Sequence, residues 1–241
     1  MTFVALAGDE FTQSYAPIFK QFAALIGSTR PAVSLVRVLK ADLDGLAEAA
    51  AIVAKGGLIA YPTDTVYGLG CDPLNTSAVE RALSAKGGRT KAMPILVKGL
   101  KDADKVAHVS GGARRLAQAF WPGPLTIVLR ARDVLPPNLV PERTVGVRSP
   151  NHPICLELLG LCSGFLVGTS ANLTGKPPAT TAEEVLKEFG GRVDFVLDGG
   201  RSSLGVASTV VDLTKNHFTF LREGPIGRGE IMRCFKERRP R

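Results

Sequence analysis

Short apolar segments recur along this chain, and segments with helical patterns separate them at irregular intervals. LIAY, MPILV and PLTIVL are typical of buried strands. SLVRVLKADLDGLAEAAAIVAKGG predicts a short strand and then an alanine-rich helix, and TAEEVLKEFG predicts a helix with a threonine cap and a glycine stop. Strands slightly outnumber helices, and no repeat of about 20–50 residues is visible. The pattern therefore predicts an α/β fold built on a mixed sheet.

Three sections of the chain differ in character. Residues 1–34 are expected to form a loosely helical N-terminal extension, residues 35–232 contain the alternating strands and helices, and residues 233–241 form a basic C-terminal tail. A length of 241 residues is enough for about one or two domains. Residues 35–232 are therefore expected to form one domain with its own core.

Several features argue against a membrane or secreted protein. The chain has no run of about 18 consecutive apolar residues, so no membrane-spanning helix is expected. Its start lacks a cationic region and carries Asp9 and Glu10, which disfavours a secretory or transit peptide. The four cysteines include no C-x-x-C pair and are expected to be reduced thiols. We therefore expect a cytoplasmic protein.

An excess of positive charge indicates an anionic partner. Lysine and arginine total 30 against 22 aspartate and glutamate residues, for a net charge of +8. This balance favours a nucleic acid, a nucleotide or a phosphorylated substrate without choosing among them. The sequence contains no G-x-x-x-x-G-K-[ST], no G-x-G-x-x-G after a strand, and no H-E-x-x-H or G-x-S-x-G motif. It therefore predicts neither a standard nucleotide-binding loop, nor a metal held by protein side chains, nor a serine hydrolase.

Hydroxyl, carboxylate and amide side chains stand where two predicted strands end. Thr63, Asp64 and Thr65 follow LIAYP, and Ser170 and Asn172 follow GFLVGT with one alanine between them. Such turns can bind the amine or hydroxyl groups of a ligand, or present N–H groups to a phosphate. A turn that caps its own backbone explains each segment equally well when it is taken alone.

Cations occupy comparable positions. Lys86, Arg89 and Lys91 surround two glycines after a predicted helix, where they suit a triphosphate, although a solvated basic loop has the same pattern. Arg148 ends an apolar strand, where an arginine is costly unless it is paired, and its guanidinium suits a carboxylate. Arg222 ends a later strand in the same way. Taken together, these clusters predict a cavity that binds a polyanion.

Eight blocks in a fixed order carry a resemblance to a known family. They are PTDTVYGLG, AKGGR with MPILV, FWPGPLTIVL, VGVRSPNHP, TSANLTGKPPATT, VLDGG, STVVDL and LREG. Over about residues 35–232 the chain resembles the threonylcarbamoyl-adenylate synthase family, the YrdC-like domain. The resemblance implies a YrdC-like catalytic domain, in which a twisted sheet of mixed parallel and antiparallel strands, with flanking helices, surrounds a large basic cavity.

The resemblance also implies an activity and its partners. The chain would be a nucleotidyltransferase that forms threonylcarbamoyl-AMP and pyrophosphate from L-threonine, bicarbonate and ATP, with Mg²⁺ bridging phosphate oxygens. Its product would pass to a downstream tRNA threonylcarbamoyl transferase for tRNA modification. The basic tail is a candidate for tRNA contact, and no membrane partner is expected.

The resemblance assigns roles to individual residues. The K-x-R motif of the family falls on Lys86 and Arg89, which would be the catalytic residues. The ATP-binding residues would be Arg89, Thr144, Ser170, Asn172 and Arg222. The threonine-binding residues would be Thr65, Lys98, Arg148, Gly168 and Ser208. The chain departs from the family by an extra glycine in K-G-G-R, by Met93 where many members have asparagine, and by Lys98 where many have histidine.

Two other functions remain open at this point. The first is a non-catalytic RNA-binding module whose basic cavity follows a phosphate backbone. Aromatic residues make up only 6% of the chain, and no RRM or KH signature is present, so stacking platforms are poorly supplied. The second is carbamoyl transfer to an acceptor other than threonine.

Overall fold

Two mixed β-sheets and seven helices make up the part of the chain that the computed structural model describes, residues 36–88, 92–173, 175–215 and 218–236. The strands are β1 Arg37–Lys40, β2 Ile59–Tyr61, β3 Gly68–Gly70, β4 Ile95–Val97, β5 Leu125–Arg130, β6 Thr144–Arg148, β7 Phe165–Val167, β8 Thr169–Ser170, β9 Phe195–Asp198, β10 Thr209–Asp212 and β11 Thr219–Arg222. The helices are α1 Leu43–Ala54, α2 Thr76–Ala85, α3 Leu100–Val106, α4 Gly111–Phe120, α5 Pro153–Leu161, α6 Ala182–Phe189 and α7 Arg228–Lys236.

The first sheet has five strands in the order β1-β9-β2-β3-β8. β9 is parallel to both of its neighbours, whereas β3 is antiparallel to both β2 and β8. Tyr61 at the end of β2 pairs with Gly68 at the start of β3. The polar segment 62–67 therefore connects two paired strands at one end of this sheet.

The second sheet has six strands in the order β11-β10-β5-β6-β4-β7. β10 and β5 are parallel, as are β4 and β6, and the other three pairs are antiparallel. In the β5–β6 pair, Val128 lies opposite Gly146 and Arg130 lies opposite Thr144. Because side chains alternate between the two faces of a strand, one face of β5 and β6 carries the even-numbered residues and the other carries the odd-numbered ones.

Side-chain caps fix the starts of several helices. Asn75, Ser110 and Thr181 accept hydrogen bonds from backbone N–H groups in the first turns of α2, α4 and α6. His152 does the same for α5 through Nδ1, and Pro153 follows it at the first helical position. Each cap satisfies an N–H group that the helix itself leaves without a partner.

The core lies between the sheets and the helices that cover them. Leu116 of α4 packs with Ile127 of β5 and Val147 of β6 in the larger apolar cluster. A second cluster packs α1 and α5 against β9, with Leu158 and Phe195 fully buried. The odd-numbered residues of β5 and β6 thus bury the apolar face of the second sheet, which leaves the even-numbered face for another use.

The predicted mixed α/β architecture is confirmed, with its strands divided between two sheets. Residues 1–34, predicted as an N-terminal extension, lie outside the described residues. α7 runs across the predicted boundary between residues 232 and 233. Within the described part of the chain, no helix is long and apolar enough to cross a membrane.

Candidate functional site

A cavity of about 560 Å³ lies between the two sheets. The second sheet contributes residues of β4, β5, β6, β10 and β11, and the first contributes β3, β8 and the segment 63–67. This volume lies within the usual range of small-molecule sites, about 300–1,000 Å³. The cavity therefore has room for a drug-sized ligand or a nucleotide.

The alternation of β5 and β6 forms one wall of this cavity. Thr126 and Val128 of β5 and Thr144, Gly146 and Arg148 of β6 all line it. Their odd-numbered neighbours belong to the apolar core. A Cβ atom at Gly146 would come within 3.0 Å of the Thr126 Cγ2 atom, so a larger residue there would narrow the cavity.

Of the two arginines on the described wall, Arg148 is buried and Arg222 is exposed. Its Nη1 donates to Thr65 Oγ1 and its Nη2 donates to Asp64 Oδ1, each at 2.8 Å. Thr65 is held in turn, because its Oγ1 lies 3.0 Å from Thr63 Oγ1, and Thr63 donates to the Val66 carbonyl. The segment 63–67 therefore positions the guanidinium at the cavity.

Ser208 and Arg222 form a second polar group on the wall. Ser208 Oγ lies 2.8 Å from Thr126 Oγ1. Arg222 donates from Nε to the Ser208 carbonyl at 2.9 Å and from Nη2 to Ser208 Oγ at 3.2 Å. These hydrogen bonds connect β5 and β11 to Ser208, the residue that precedes β10, next to the cavity.

Lys86, Ser170 and Asn172 meet, but the Lys86 ammonium points into the protein. Lys86 is 2% exposed, and its Nζ donates to the Ser170 carbonyl at 2.7 Å, to the Asn172 carbonyl, and to Asn172 Oδ1 at 3.1 Å. Ser170 Oγ also donates to Asn172 Oδ1, at 2.6 Å. Ser170 lines the cavity, whereas Lys86 and Asn172 are absent from its described lining. In this structure Lys86 therefore holds the 170–172 turn.

The structure does not bring Lys98 to the site. Lys98 is exposed, its Nζ lies against Gly160 of α5, and it is absent from the cavity lining. Gly168 does line the cavity, and a Cβ atom there would come within 2.3 Å of Leu96 Cγ. The structure therefore gives no geometric support to the predicted contact between Lys98 and threonine. Lys98 follows the last residue of β4, and its side chain lies towards α5. Arg89 lies outside the described residues.

Burial favours the neutral forms of three titratable side chains in or near the segments that form the site, Tyr67, Cys71 and His152. Burial raises the pKa of the Tyr67 hydroxyl, which donates to the Gly200 carbonyl and accepts from the Gly199 N–H. Burial also raises the pKa of the Cys71 thiol to about 12. It lowers the pKa of His152, although the nearby Asp64 carboxylate opposes that shift. These groups therefore do not supply an ionised nucleophile near neutral pH.

The charges on the described wall are two cations and one anion. They are Arg148, Arg222 and Glu142 among the described lining residues. Within the described ranges, no group of three or more His, Cys, Asp or Glu side chains could hold a metal ion. A Mg²⁺ ion at this site would need the phosphate oxygens of a bound nucleotide as its main ligands.

Sequence reasoning did not single out Thr126 or Glu142 as site residues. Thr126 is a polar residue near the start of the largely apolar strand β5, and Thr144 and Arg148 repeat that even-numbered placement on β6. The alternation of side chains with a period of two residues in both segments would have indicated that Thr126 belongs to the site. Met93, by contrast, is fully buried in the core, where an apolar side chain fits.

The chain is similar to a family of known proteins over most of its length. The Sua5/YciO/YrdC family model, which carries the description "Telomere recombination", matches residues 51–224. A threonylcarbamoyl-AMP synthase of Pyrococcus abyssi is 39% identical over 193 residues, which cover 78% of this chain and 56% of that protein. A threonylcarbamoyl-AMP synthase of Bacillus subtilis is 37% identical to this chain, and the matching region covers 55% of the length of that protein. This chain thus spans a little over half the length of these two curated relatives.

Solved structures show the same fold. P. abyssi Sua5 complexed with L-threonine has a TM-score of 0.79 and 36% identity, covering 84% of this chain and 61% of that one. E. coli YciO has a TM-score of 0.71 and 29% identity, covering 80% of this chain and 96% of that one. The two sheets and their flanking helices are therefore an arrangement that relatives share.

Proposed function

Because the chain belongs to the Sua5/YciO/YrdC family, we propose that it is an L-threonylcarbamoyladenylate synthase that uses L-threonine, bicarbonate and ATP. The observation that carries the proposal is the buried Arg148 guanidinium at the wall of a 560 Å³ cavity. A guanidinium held in this way suits the carboxylate of an amino acid. The similar Sua5 structure from P. abyssi, which contains L-threonine, supports the same choice of ligand.

The threonine end of the site is built around Arg148. Thr65 lies beside the guanidinium, and Ser208 and Gly168 line the same cavity. The carboxylate would pair with Arg148, and the hydroxyl groups would bind the amine and side chain of threonine. Bringing both reactants into one cavity replaces a bimolecular encounter with a positioned one.

The nucleotide end would lie towards Ser170, Thr144 and Arg222. These three residues line the cavity and come from both sheets. Arg222 suits the phosphates because its guanidinium would add positive charge to that of Arg89 and Lys91, which follow α2 in the sequence. Lys86 would act through the 170–172 turn, and Arg89 would bind phosphate oxygens.

The proposed reaction has two stages. The neutral amine of threonine attacks the carbon of bicarbonate, with loss of water, or that of CO₂, with loss of a proton, to give a carbamate. A carbamate oxygen then attacks the α-phosphorus of ATP, and the bond to the β-phosphate bridging oxygen breaks to release pyrophosphate. The nucleophiles come from the substrates, so the protein has to position them and neutralise charge. Mg²⁺ bound to the phosphates would neutralise part of their charge.

The place of this reaction in the cell follows from its chemistry. The product is a mixed anhydride, which has to pass to a transferase that uses it on tRNA. We expect the proposed activity in the cytoplasm, where ATP and tRNA are both present, and propose a tRNA threonylcarbamoyl transferase as the downstream partner. Direct tRNA contact by the basic C-terminal residues stays a prediction.

Pyrophosphate release tests the proposed function. Purified protein would be incubated with ATP, Mg²⁺ and bicarbonate, with and without L-threonine, and the adenylate product identified by mass spectrometry. We expect release that requires both threonine and bicarbonate. Release without threonine would favour another carbamoyl acceptor, whereas salt-sensitive RNA binding without any release would favour the binding module.

A further inference from the structure

Asp64 lies beside Arg148 but is absent from the lining of the cavity. The side chains of the two residues are 4% and 5% exposed, and their ion pair has one N–O contact at 2.8 Å. Among the described residues, Asp64 Oδ2 and Arg148 Nε have no hydrogen-bond partner. The pair is thus buried and joined by one hydrogen bond. Each of the two side chains also has one further hydrogen-bonding atom without a partner among the described residues.

The backbone of Asp64 is fixed by a separate loop. Its carbonyl accepts from the Leu204 N–H at 2.9 Å and from Ser203 Oγ at 3.1 Å. Both partners belong to the segment between β9 and β10 that leads to Ser208. Asp64 therefore connects that segment to Arg148, with its carbonyl bound on one side and its carboxylate on the other.

Asp64 contributes to ligand binding mainly through the geometry of Arg148, because its charge opposes that of the guanidinium. Asp64 compensates the buried charge of Arg148, but it also weakens the attraction of the guanidinium for a second carboxylate, so charge alone does not explain a gain in ligand binding. A long arginine side chain has several rotamers, and holding it in one of them lowers the entropy lost when a ligand binds. Nη1 and Nη2 are each held by a residue of the 63–67 segment.

We propose that Asp64 is a positioning residue that acts through Arg148 to hold its guanidinium ready for the carboxylate of an amino-acid substrate. This inference rests on the proposed function, since it takes the cavity to bind L-threonine. It assigns no contact between Asp64 and the substrate. The charge-assisted hydrogen bond to Nη2 is the feature on which it depends.

Binding of L-threonine and of ATP to Asp64→Ala and Asp64→Asn tests the inference, with both affinities measured by isothermal titration calorimetry. Loss of one hydrogen bond to a charged group should raise the Kd for L-threonine roughly tenfold or more in Asp64→Ala. The Kd for ATP should stay within about threefold, because the Asp64 carboxylate accepts its hydrogen bond from Arg148 and not from a residue proposed to bind ATP. Asp64→Asn keeps an oxygen acceptor for Nη2 and should return threonine binding to within about threefold of the unmodified chain.

Asp194→Ala is the matched control. Asp194 also pairs with an arginine, Arg81, at 2.8 Å, but neither residue lines the cavity. The Asp194→Ala substitution should leave the Kd for L-threonine unchanged. Thermal unfolding of each variant identifies any that has not folded. If Asp64→Ala does not fold, Asp64→Asn still decides, because the inference requires it to fold and to bind threonine.

The outcomes separate this inference from the proposed function. An unmodified chain that binds no L-threonine overturns both. If the unmodified chain binds threonine and a folded Asp64→Ala binds it equally well, only the inference is overturned. Equal weakening of threonine and ATP binding, or an Asp64→Asn variant as weak as Asp64→Ala, overturns it as well.

Discussion

Arg148 and Lys86 are both buried cations, and their environments assign them different work. Arg148 lines the cavity, and its guanidinium donates hydrogen bonds to Asp64 and Thr65. Lys86 is surrounded by oxygens of the 170–172 turn and is absent from the described lining. Arg148 is therefore placed for a ligand, whereas Lys86 is placed to hold the protein.

Replacing Arg148 by lysine should impair threonine use selectively. Arg148→Lys keeps a positive charge near Asp64 but loses the planar fork that pairs with a carboxylate. We expect kcat/KM for L-threonine to fall about 10–100-fold, with KM for ATP changed less than about threefold. Steady-state pyrophosphate release at varied threonine and ATP checks this. Equal losses for both substrates would contradict the assignment.

Replacing Lys86 by methionine should destabilise the fold. Lys86→Met removes the donors that the Ser170 and Asn172 oxygens use and should lower the free energy of unfolding by about 2–5 kcal/mol. Urea denaturation measures the change. Lys55→Met is the control, because Lys55 follows α1 as Lys86 follows α2 but is exposed. Equal effects of the two substitutions would show that the buried contacts of Lys86 contribute nothing.

At the scale of elements, the start of α6 shows how local sequence directs structure. Thr181 Oγ1 accepts from the Glu184 N–H, and Glu184 Oε2 accepts from the Thr180 N–H at 2.6 Å. The predicted threonine cap of this helix is confirmed. The Thr180 N–H is the main reason that the pKa of the Glu184 carboxyl lies below its ordinary value of 4.5.

This shift makes a pH-dependent contribution to stability. A carboxyl whose pKa is lowered on folding stabilises the fold above its unfolded pKa and loses that contribution as pH falls through its folded pKa. The unmodified chain should therefore exceed Glu184→Gln in urea midpoint at pH 7, and the gap should close as pH falls below about 4.5. Urea midpoints measured along a pH series check this.

The exposed Glu80 of α2 offers a matched control for that series. Glu80→Gln should leave the pH dependence of the midpoint as it is in the unmodified chain. A gap for Glu184→Gln that stays constant from pH 7 to pH 3 would contradict the charged cap.

At the scale of the whole molecule, the cavity joins the two sheets. Segment 63–67, β3 and β8 belong to one side, and β4, β5, β6, β10 and β11 belong to the other. A ligand in the cavity therefore contacts both sheets in the folded state and neither in the unfolded chain. Binding should be visible as stabilisation of the whole domain.

L-Threonine should raise the thermal midpoint of the protein. At a concentration of 100 times Kd, binding adds about 2.7 kcal/mol, which corresponds to roughly 5–10 °C for a chain of this size. Differential scanning calorimetry checks the shift, with D-threonine as the control ligand. An equal shift with D-threonine, or no shift with L-threonine, would contradict a stereospecific threonine site.

The mixed α/β architecture and the threonine cap of α6 followed from the sequence, because periodicity and capping act between residues that are close in the chain. The polar groups at strand ends were visible for the same reason, and Thr65, Arg148, Ser170, Ser208 and Arg222 meet at or beside the cavity. Even so, the local pattern of each segment was equally consistent with a turn that binds nothing.

Only the tertiary structure decided which of these groups face the cavity. Lys86 and Arg148 look alike as cations near strand or helix ends, but one is enclosed by the turn of another segment and the other is held by the 63–67 segment. Likewise, the division into two sheets, and the pairing of Asp64 with a residue 84 positions away, depend on long-range packing. Local sequence determines the elements, whereas the orientation of a buried charge depends on which distant atoms can satisfy it.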